Sequence, residues 1–337
     1  MIKLDKAEFL NKLESVLPGI STREIIEQSS CVIFQDGFMM TYNDEIACTQ
    51  ESGLDIVGAV AAMPLVNILR KLTEDTIEIE AKEKHLLIKC ARKRAKIVMD
   101  SEVLLPTDGI EKPKKWKALP DDFADAVAVV QACAGTDESR FDLTCVHIHP
   151  EHMEACDGSQ AGRYKLTMPL KKPILIRRSS LKYIESLDMT EFSRTANWIH
   201  FRNSDGLVLS CRKWIYTKEN FPNLSEYMKA KGKKTILPKG MVEAIDKAQI
   251  FSSDNAESDE IEVQLSKGKI KITGKGATGR YTEHGKIKYK GKDMRFTINP
   301  TLFSDLVSRH NKCLVSEKLL KVKTGNYTYI TALKEVK

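Results

Sequence analysis

The chain has 337 residues, of which 42% are hydrophobic and 29% are charged, which is more than one average domain core accommodates. The apolar fraction excludes global disorder. No apolar run approaches the roughly 18–20 residues that span a bilayer. The 53 Lys and Arg residues exceed the 46 Asp and Glu residues, for a formal net charge of +7. This mildly basic balance permits a nucleic-acid partner without requiring one.

Cysteine usage and the first residues bear on the compartment. The eight cysteines are scattered, and no C-x-x-C pair occurs, which disfavours both a disulfide framework and a four-cysteine zinc site. The charged start Met1–Lys6 is not followed by an apolar signal region. We therefore expect a cytoplasmic protein in a reducing environment.

Taken in chain order, the first third predicts two helices and five strands. Apolar residues at helical spacing predict the helices, and Asp36-Gly37 between two β-rich runs predicts a hairpin. The expected elements are helices over 5–17 and 61–72, hairpin strands over 31–34 and 38–42, and strands over 76–80, 85–89 and 95–99.

The second and final thirds follow the same plan. Pro238 and Pro300 stand where a helix begins, a position at which the missing N–H costs nothing. In the second third we expect helices over 121–134 and 179–187 and strands over 143–149, 153–158, 198–201, 207–210 and 214–216. In the final third we expect helices over 238–250 and from 299 onward, and strands over 261–265, 270–273, 319–322 and 327–333.

The order helix, hairpin, helix, strands therefore occurs three times. Polar stretches at Thr107–Lys117 and Lys229–Lys234 separate the repeats. We predict an α+β protein of three repeated domains, 1–112, 113–231 and 232–337, each with two helices packed on antiparallel sheets. Two short helices cannot cover the edges of a sheet, so neighbouring repeats should join at their strand edges.

Basic residues recur on or near the helices of all three repeats. They are Arg23, Arg70, Lys71, Arg140, Arg177, Arg178, Lys182, Lys239, Lys247 and Arg309. Recurrence at equivalent places predicts a surface that neutralises phosphates without reading bases. An ordinary solvated helix face remains the alternative for any one residue. The acidic start of one helix (Asp121, Asp122, Asp125) either favours a helix N-terminus or marks a face that avoids DNA.

Five short segments, at the right separations, resemble a known family. They are Ser139–Phe141, Glu154–Gly158, Asn220–Asn223, Ala248–Ser252 and Phe296–Pro300. Together they resemble segments of the bacterial DNA sliding clamp, the β subunit of DNA polymerase III, and they span nearly the whole chain. The resemblance implies repeated clamp domains that form a closed ring as a head-to-tail homodimer. It also implies a processivity factor that encircles duplex DNA, with neither catalytic activity nor a cofactor.

The resemblance also assigns residues to surfaces. The DNA-facing positions would be Arg23, Arg70, Arg140, Arg177 and Arg178. A hydrophobic groove between the second and third domains would take short peptide motifs of DNA polymerase and the clamp loader. Its matching positions are Leu143, Cys156, Gly158, Ala161, Pro222, Tyr227, Asn299, Leu302, Ile330 and Ala332. Ile250 and Phe251 would lie at the dimer seam, facing Ile110 of the neighbouring subunit.

Two departures from the family pattern affect the groove. Ser159-Gln160-Ala161 stands where the family usually has His-Arg-Leu, and the tail from Ala332 to Lys337 lacks the usual apolar Met-Pro-Met-type ending. We therefore expect a diverged clamp with an altered groove, and an origin in a phage or mobile element remains open. The alternatives are a non-clamp DNA-binding or regulatory protein with the same fold, and a hydrolase with an unrecognised site.

Two other motifs contain residue types that can bind metals or phosphates. His147, His149 and His152 could ligate a metal, but a surface hairpin tip is the favoured interpretation, so no metal site is predicted. The glycine-rich segment Gly274–Arg280 lacks the G-K-[ST] ending of a phosphate loop and is expected to be a mobile loop. Because no catalytic pairing of Ser, Cys, His and Asp is recognisable, we expect no enzymatic activity.

Overall fold

The structure, a computed structural model, describes residues 1–217, 220–238, 240–253 and 259–335, with only the backbone of Glu335. The α-helices in these ranges are α1 (Lys6–Ser15), α2 (Ala62–Lys71), α3 (Phe123–Gln131), α4 (Arg178–Leu181), α5 (Ser225–Lys229), α6 (Met241–Ser252) and α7 (Pro300–Arg309). Short 3-10 helices cover Leu17–Gly19, Thr107–Gly109 and Glu138–Thr144. None of the helices described is both long and apolar enough to cross a membrane.

Strands carry most of the regular structure. The first half of the chain forms β1 (Ile2–Asp5), β2 (Cys31–Gln35), β3 (Phe38–Tyr42), β4 (Ile46–Glu51), β5 (Gly58–Ala61), β6 (Thr76–Lys82), β7 (His85–Cys90), β8 (Lys93–Asp100), β9 (Lys117–Ala118), β10 (Cys145–His149), β11 (His152–Cys156), β12 (Gln160–Lys165) and β13 (Ile174–Arg177). The second half forms β14 (Glu191–Arg194), β15 (Trp198–Arg202), β16 (Val208–Ile215), β17 (Lys233–Ile236), β18 (Ile261–Ser266), β19 (Lys269–Gly276), β20 (Gly279–Lys286), β21 (Met294–Ile298), β22 (Lys312–Val315), β23 (Leu319–Thr324), β24 (Tyr327–Ala332) and β25 (Lys334–Glu335).

The chain divides into two compact units. The first unit comprises residues 1–131, 145–151 and 166–216. Its main sheet is antiparallel, in the order β9-β14-β15-β16-β4-β3-β2-β5-β8. A second antiparallel sheet runs β1-β6-β7-β8. Alternating apolar residues of these strands and the apolar faces of α1, α2 and α3 form the core, in which Phe34, Phe123 and Trp198 are fully buried.

The second unit comprises residues 132–144, 152–165 and 217–337. One antiparallel sheet runs β11-β12-β24-β23-β22-β17, and another runs β20-β19-β18-β21-β25. Helix α6 lies very close to β19, because a Cβ built on Gly274 would stand 1.8 Å from the carbonyl oxygen of Ala248. Only glycine fits at that position of the strand.

Strand pairing crosses the predicted domain boundaries. β4 pairs with β16 in the first unit, with Cys48 opposite Leu209. β12 pairs with β24 in the second, with Ala161 opposite Ile330. These pairings match the expectation that neighbouring repeats join at their strand edges. The boundaries 1–112, 113–231 and 232–337 themselves stay a prediction.

Several elements differ from the expectations. The helix expected over 179–187 is only the short α4, and turns follow it as far as Asp188. The strands expected over 207–210 and 214–216 are one long strand, β16. Strands such as β12, β13 and β20, and helix α5, were not expected. Their segments are short or rich in polar residues, so periodicity gave no clear signal.

The structure also differs from two of the motif predictions. The glycine-rich segment is not a mobile loop: Gly274 and Gly276 belong to β19, which pairs with β20 from Gly279 onward. Backbone pairing and the approach of α6 hold this hairpin in place. His147 is not at a surface tip either. It is buried within the first unit, and its ring stacks on Tyr216 at 4.2 Å between centroids.

Candidate DNA-facing and peptide-binding surfaces

The basic residues at the end of α2 differ in their partners. Arg70 Nε donates to Glu14 Oε1 of α1 at 2.7 Å, and both side chains are partly exposed. Lys71, the next residue, is exposed, and none of the carboxylates described lies within ion-pair distance of it. Lys71 is therefore more available than Arg70 for an external phosphate.

The residues around α4 show the same contrast. Arg177 Nη1 donates to Glu45 Oε1 at 2.6 Å, and its side chain is only 14% exposed. Arg178, the first residue of α4, is half-buried. Lys182 is exposed and stands 4.8 Å from the centroid of the Tyr183 ring. Arg23 is also exposed. In the first unit, Arg177 is thus held by its ion pair, whereas Arg23 and Lys182 are accessible.

The predicted cations of the second unit are mostly ion-paired. Lys247 on α6 lies 3.6 Å from Glu283, whose carboxylate raises the lysine pKa. Arg309 Nε donates to Asp305 Oδ1 at 2.8 Å, one helical turn earlier. Arg140 is exposed in its 3-10 helix, and its Nη1 would lie 3.1 Å from a Cβ built on Gly158. The prediction for Lys239 lies outside the described residues.

The acidic residues of the middle repeat have a local explanation. Asp121 and Asp122 directly precede α3, and Asp125 lies in its first turn. Negative charge at this end complements the helix dipole. The structure thus favours the helix-terminus interpretation over a face that avoids DNA.

Three of the predicted groove residues form one row. Cys156 of β11 lies opposite Ala161 of β12, and Ala161 lies opposite Ile330 of β24. Residues directly opposite across antiparallel strands share a face of the sheet, so the row consists of three small or apolar side chains, all of them buried in this chain. Burial raises the pKa of the Cys156 thiol to about 12, which keeps it protonated and suits a lining role rather than a reactive one.

Helix α5 and the segment before it cover this face. Arg163, two residues beyond Ala161, donates to Glu154 Oε2 at 2.7 Å and to Ser225 Oγ of α5 at 3.4 Å. Pro222 and Tyr227 are exposed on the same segment. The row is therefore bordered by a partly apolar stretch of chain that carries two of the predicted groove residues.

Sequence reasoning missed Lys321, which extends the row. Lys321 of β23 lies opposite Ile330, is only 8% exposed, and donates through Nζ to the carbonyl oxygens of Met228 at 3.2 Å and Ala230 at 2.5 Å. Its burial lowers the pKa of the ammonium. One lysine in a β pattern gives no sign of such a position, so the sequence offered no signal for it.

A cavity of about 850 Å³ continues this surface. Tyr227, Ala230, Met294 and Leu319 contribute to its lining. Leu319 lies opposite Ala332 in the sheet, two residues beyond Ile330. The cavity therefore adjoins the groove row at the end marked by Ala332, which is exposed.

The other predicted groove residues lie on different elements. Asn299 is the N-cap of α7, and its side chain accepts from the backbone N–H of Leu302 at 3.1 Å. Leu302 itself is half-buried, and Leu143 is buried at the end of its 3-10 helix. Gly158 has a φ of +97°, which an L side chain would strain. Asn299 and Gly158 thus have local structural roles.

The predicted seam residues differ in exposure. Ile250 on α6 is 64% exposed. Phe251 is half-buried against the position of Gly279. Ile110 packs partly buried against the first-unit cluster that contains Ile33 and Trp198. Ile250 is therefore the most available of the three for a partner.

Comparisons with known proteins identify the fold. No family model matches the chain, and no curated protein matches it. Solved structures do match, over nearly the full length of both chains. A DnaN sliding clamp (DNA polymerase III subunit β) of Bartonella birtlesii, bound to griselimycin, is 15% identical, covers 99% of each chain and has a TM-score of 0.87. The chain has the sliding-clamp fold.

Two further clamps give the same result. The DnaN sliding clamp of Pseudomonas aeruginosa is 15% identical over 99% of each chain, with a TM-score of 0.84. The DNA polymerase III β subunit of Thermotoga maritima is 13% identical over 100% of this chain and 99% of that chain, with a TM-score of 0.83. The sliding-clamp fold predicted from five short motifs is thus confirmed along the whole chain, at a low identity that fits the expected divergence.

Proposed function

We propose that this protein is a DNA sliding clamp: a non-enzymatic processivity factor that encircles duplex DNA and tethers a DNA polymerase. The observation that carries the proposal is the full-length match to DNA polymerase III β subunits from several bacteria. Because a tether acts through topology rather than chemistry, it needs neither a catalytic group nor a cofactor. The place of action is the cytoplasm, where bacterial DNA is replicated.

The DNA contact is electrostatic. Exposed cations exchange phosphate contacts rapidly and read no bases, which permits sliding. Arg23, Lys71, Arg140 and Lys182 carry most of this contact, because Arg70, Lys247 and Arg309 already have carboxylate partners. Arg177 contributes least, since its guanidinium is held by Glu45. Arg178 adds to this surface, and the assignment of Lys239 stays a prediction from the sequence.

The ring is a homodimer joined head to tail. β8 and β20 are each the outer strand of a sheet: over Lys93–Val98, β8 pairs with β7, and β20 pairs with β19. Val98 on β8 is 70% exposed, as Ile250 on α6 is at 64%. Joining β8 of one subunit to β20 of the other would pair both edges and bury these apolar side chains. Phe251 and Ile110 lie at the margins of this seam.

Short hydrophobic peptide motifs of the polymerase and the clamp loader dock on the exposed border of the groove row and in the adjoining cavity. Cys156, Ala161 and Ile330 provide its apolar floor, Pro222 and Tyr227 its border, and the adjoining cavity its extension. Lys321 adds a buried ammonium at one end. This composition supports a peptide preference altered from that of other clamps, because a nearby carboxylate on the peptide would gain an ion pair.

Two measurements test the proposal. Light scattering should give a molar mass about twice the 38.0 kDa of one chain, and the protein should be retained longer on circular plasmid than on the same plasmid linearised. A monomeric mass at micromolar concentration contradicts the ring. A dimer retained equally on both DNA forms supports the alternative, a non-clamp DNA-binding or regulatory protein with the same fold.

A further inference from the structure

A second concave surface of the first unit is strongly basic. It is a cavity of about 570 Å³, here called the linker pocket, formed by the segment after Ile110 and by the loop and strand that face it. Six cations line it: Lys112, Lys114, Lys115, Lys117, Lys171 and Arg194. Glu111 is the one carboxylate among the described lining residues. The stretch noted in the sequence as a polar boundary thus supplies most of this charge.

Two hydrogen bonds hold the walls of the linker pocket together. Lys117 Nζ donates to the carbonyl oxygen of Pro169 at 3.2 Å, and Arg194 Nη1 donates to that of Lys172 at 3.2 Å. Both bonds join the β9–β14 edge of the sheet to the loop over residues 169–172. The two bonds therefore fix the loop that carries Lys171 against this edge of the sheet.

The positive charge of the linker pocket is not neutralised from within. The Glu111 carboxylate accepts from the backbone N–H of Asn197 at 3.1 Å and from its side-chain amide at 2.9 Å. These contacts and the Thr195 hydroxyl lower its pKa against the opposing effect of burial. In the part of the chain that the structure describes, none of the six lining cations has a carboxylate within 4.0 Å.

The crowding of cations shows in a neighbour. Burial and the charge of Arg194 lower the pKa of Lys213. The contrast with the helices is marked, since Arg70, Lys247 and Arg309 there each have an acidic partner. Six cations without a carboxylate partner in one concave surface are the arrangement expected of a site for an external polyanion.

We propose that the linker pocket binds the phosphodiester backbone of single-stranded DNA. A volume of about 570 Å³ is that of a site for a small molecule and admits one strand rather than a duplex. Five of the six cations are lysines, which serve phosphates as mobile point charges. The inference goes beyond the proposed function, because it assigns a second DNA contact at residues other than Arg23, Lys71, Arg140 and Lys182.

The lining argues against an acidic peptide as the occupant. Peptide docking depends on apolar anchors that enter desolvated pockets. The two large apolar residues of this lining, Phe192 and Leu170, are only 2% and 9% exposed, so they offer little apolar surface to such an anchor. The nearby Trp116 ring packs against the Arg202 guanidinium, 4.4 Å from its centroid, and is not among the residues that line the pocket. Binding should therefore be electrostatic, strongly dependent on salt and nearly independent of base sequence.

The test compares two triple variants by fluorescence anisotropy, with labelled oligothymidine about 20 nucleotides long as the probe. One variant is K112E/K114E/K115E. The matched control is K3E/K82E/K84E, which changes the same number of exposed lysines in the same unit and produces the same change in net charge. Circular dichroism and thermal unfolding verify that both variants fold. A K112Q/K114Q/K115Q variant replaces the first one if charge reversal prevents folding.

The pocket variant should bind the oligonucleotide at least about tenfold more weakly than the control. The slope of the logarithm of the binding constant against the logarithm of salt concentration should fall by about 2 in magnitude, since each lost phosphate contact to a single strand removes about 0.7. Equal weakening of both variants, or no weakening, overturns the proposal. So does polyglutamate that displaces the oligonucleotide from the wild type more effectively than unlabelled oligothymidine does, because the pocket would then be a peptide site.

The outcome is separable from that of the proposed function. Retention on circular plasmid depends on the ring and on the duplex-contacting residues Arg23, Lys71, Arg140 and Lys182, so the pocket variant should still be retained. Loss of oligonucleotide binding with retained plasmid binding supports both the linker pocket as a DNA site and the sliding-clamp function. A monomeric protein whose oligonucleotide binding still depends on the three lysines supports the pocket and contradicts the clamp.

Discussion

Stability of the first unit should depend on pH through the buried His200. This residue of β15 is 0% exposed, and its ring bonds to Ser210 Oγ at 2.8 Å and to Thr195 Oγ1 at 3.0 Å. Burial lowers its pKa from the ordinary value of 6.5 to about 4, against an opposing effect of the Glu111 carboxylate. The neutral ring is therefore the form that the folded protein holds.

The magnitude follows from the shift. Because the pKa is lower in the folded protein, the unfolded chain binds the proton first. The contribution of His200 is complete above pH 6.5 and is lost as the pH falls toward 4. A shift of this size corresponds to about 3 kcal/mol of unfolding free energy, at about 1.4 kcal/mol per pKa unit.

The assay is urea unfolding followed by circular dichroism at several pH values between about 7 and about 4. The variant is His200→Gln, and His85→Gln at a half-buried position of β7 is the histidine control. The stability advantage of the wild type over His200→Gln should shrink by about 3 kcal/mol across this range. A difference that stays constant with pH, or the same trend for His85→Gln, refutes the reasoning.

Other variants test the surfaces and the packing. Ile250→Asp should halve the molar mass in light scattering, because it places a charge at the proposed seam, where the residue is 64% exposed in one chain; an unchanged dimer removes α6 from the interface. Lys71→Glu should weaken duplex binding and lower its salt slope by at least about 1, whereas Arg177→Gln should change it little because Glu45 holds that guanidinium; the reverse order contradicts the assignment. Tyr227→Asp should weaken capture of a hydrophobic clamp-binding peptide in a pull-down, because this ring is 57% exposed at the groove border, while Thr324→Asp at an exposed position of β23 retains it; equal capture by both variants removes Tyr227 from the groove. Gly274→Ala should lower the unfolding free energy by about 1–3 kcal/mol, since its Cβ meets the Ala248 carbonyl; a denaturation midpoint equal to that of the wild type contradicts the close approach of α6 to β19.

Periodicity and turn chemistry predict much of this fold. The apolar faces of α1, α2 and α7 and the Asp36-Gly37 turn between β2 and β3 all appear as expected. The signal fails where tertiary packing decides. Gly274 and Gly276 look like a loop in isolation but belong to a strand that a helix closely approaches. α4 ends at Leu181, although the apolar pattern predicts a helix as far as Leu187, and the residues from Lys182 to Asp188 form turns.

For the candidate surfaces as well, local sequence patterns predict some features, whereas contacts between distant segments decide others. Cys156, Ala161 and Ile330, which the family resemblance assigns to one groove, lie opposite one another in the sheet; the groove itself stays a prediction. Spacing along the chain cannot show that Arg177 is neutralised by Glu45, which lies 132 residues away. Nor can it show that Lys321 is buried or that the lysines after Ile110 surround a cavity, since both depend on distant segments.

Release from DNA on linearisation tests the central claim most directly. The protein is incubated at high concentration with nicked circular plasmid, separated from free protein by gel filtration, and the plasmid is then cut at one site. An encircling ring slides off the new ends, so the protein should leave the DNA after cutting and stay when bulky blocks occupy both ends. Retention that cutting does not change contradicts a topological tether and leaves only ordinary electrostatic binding.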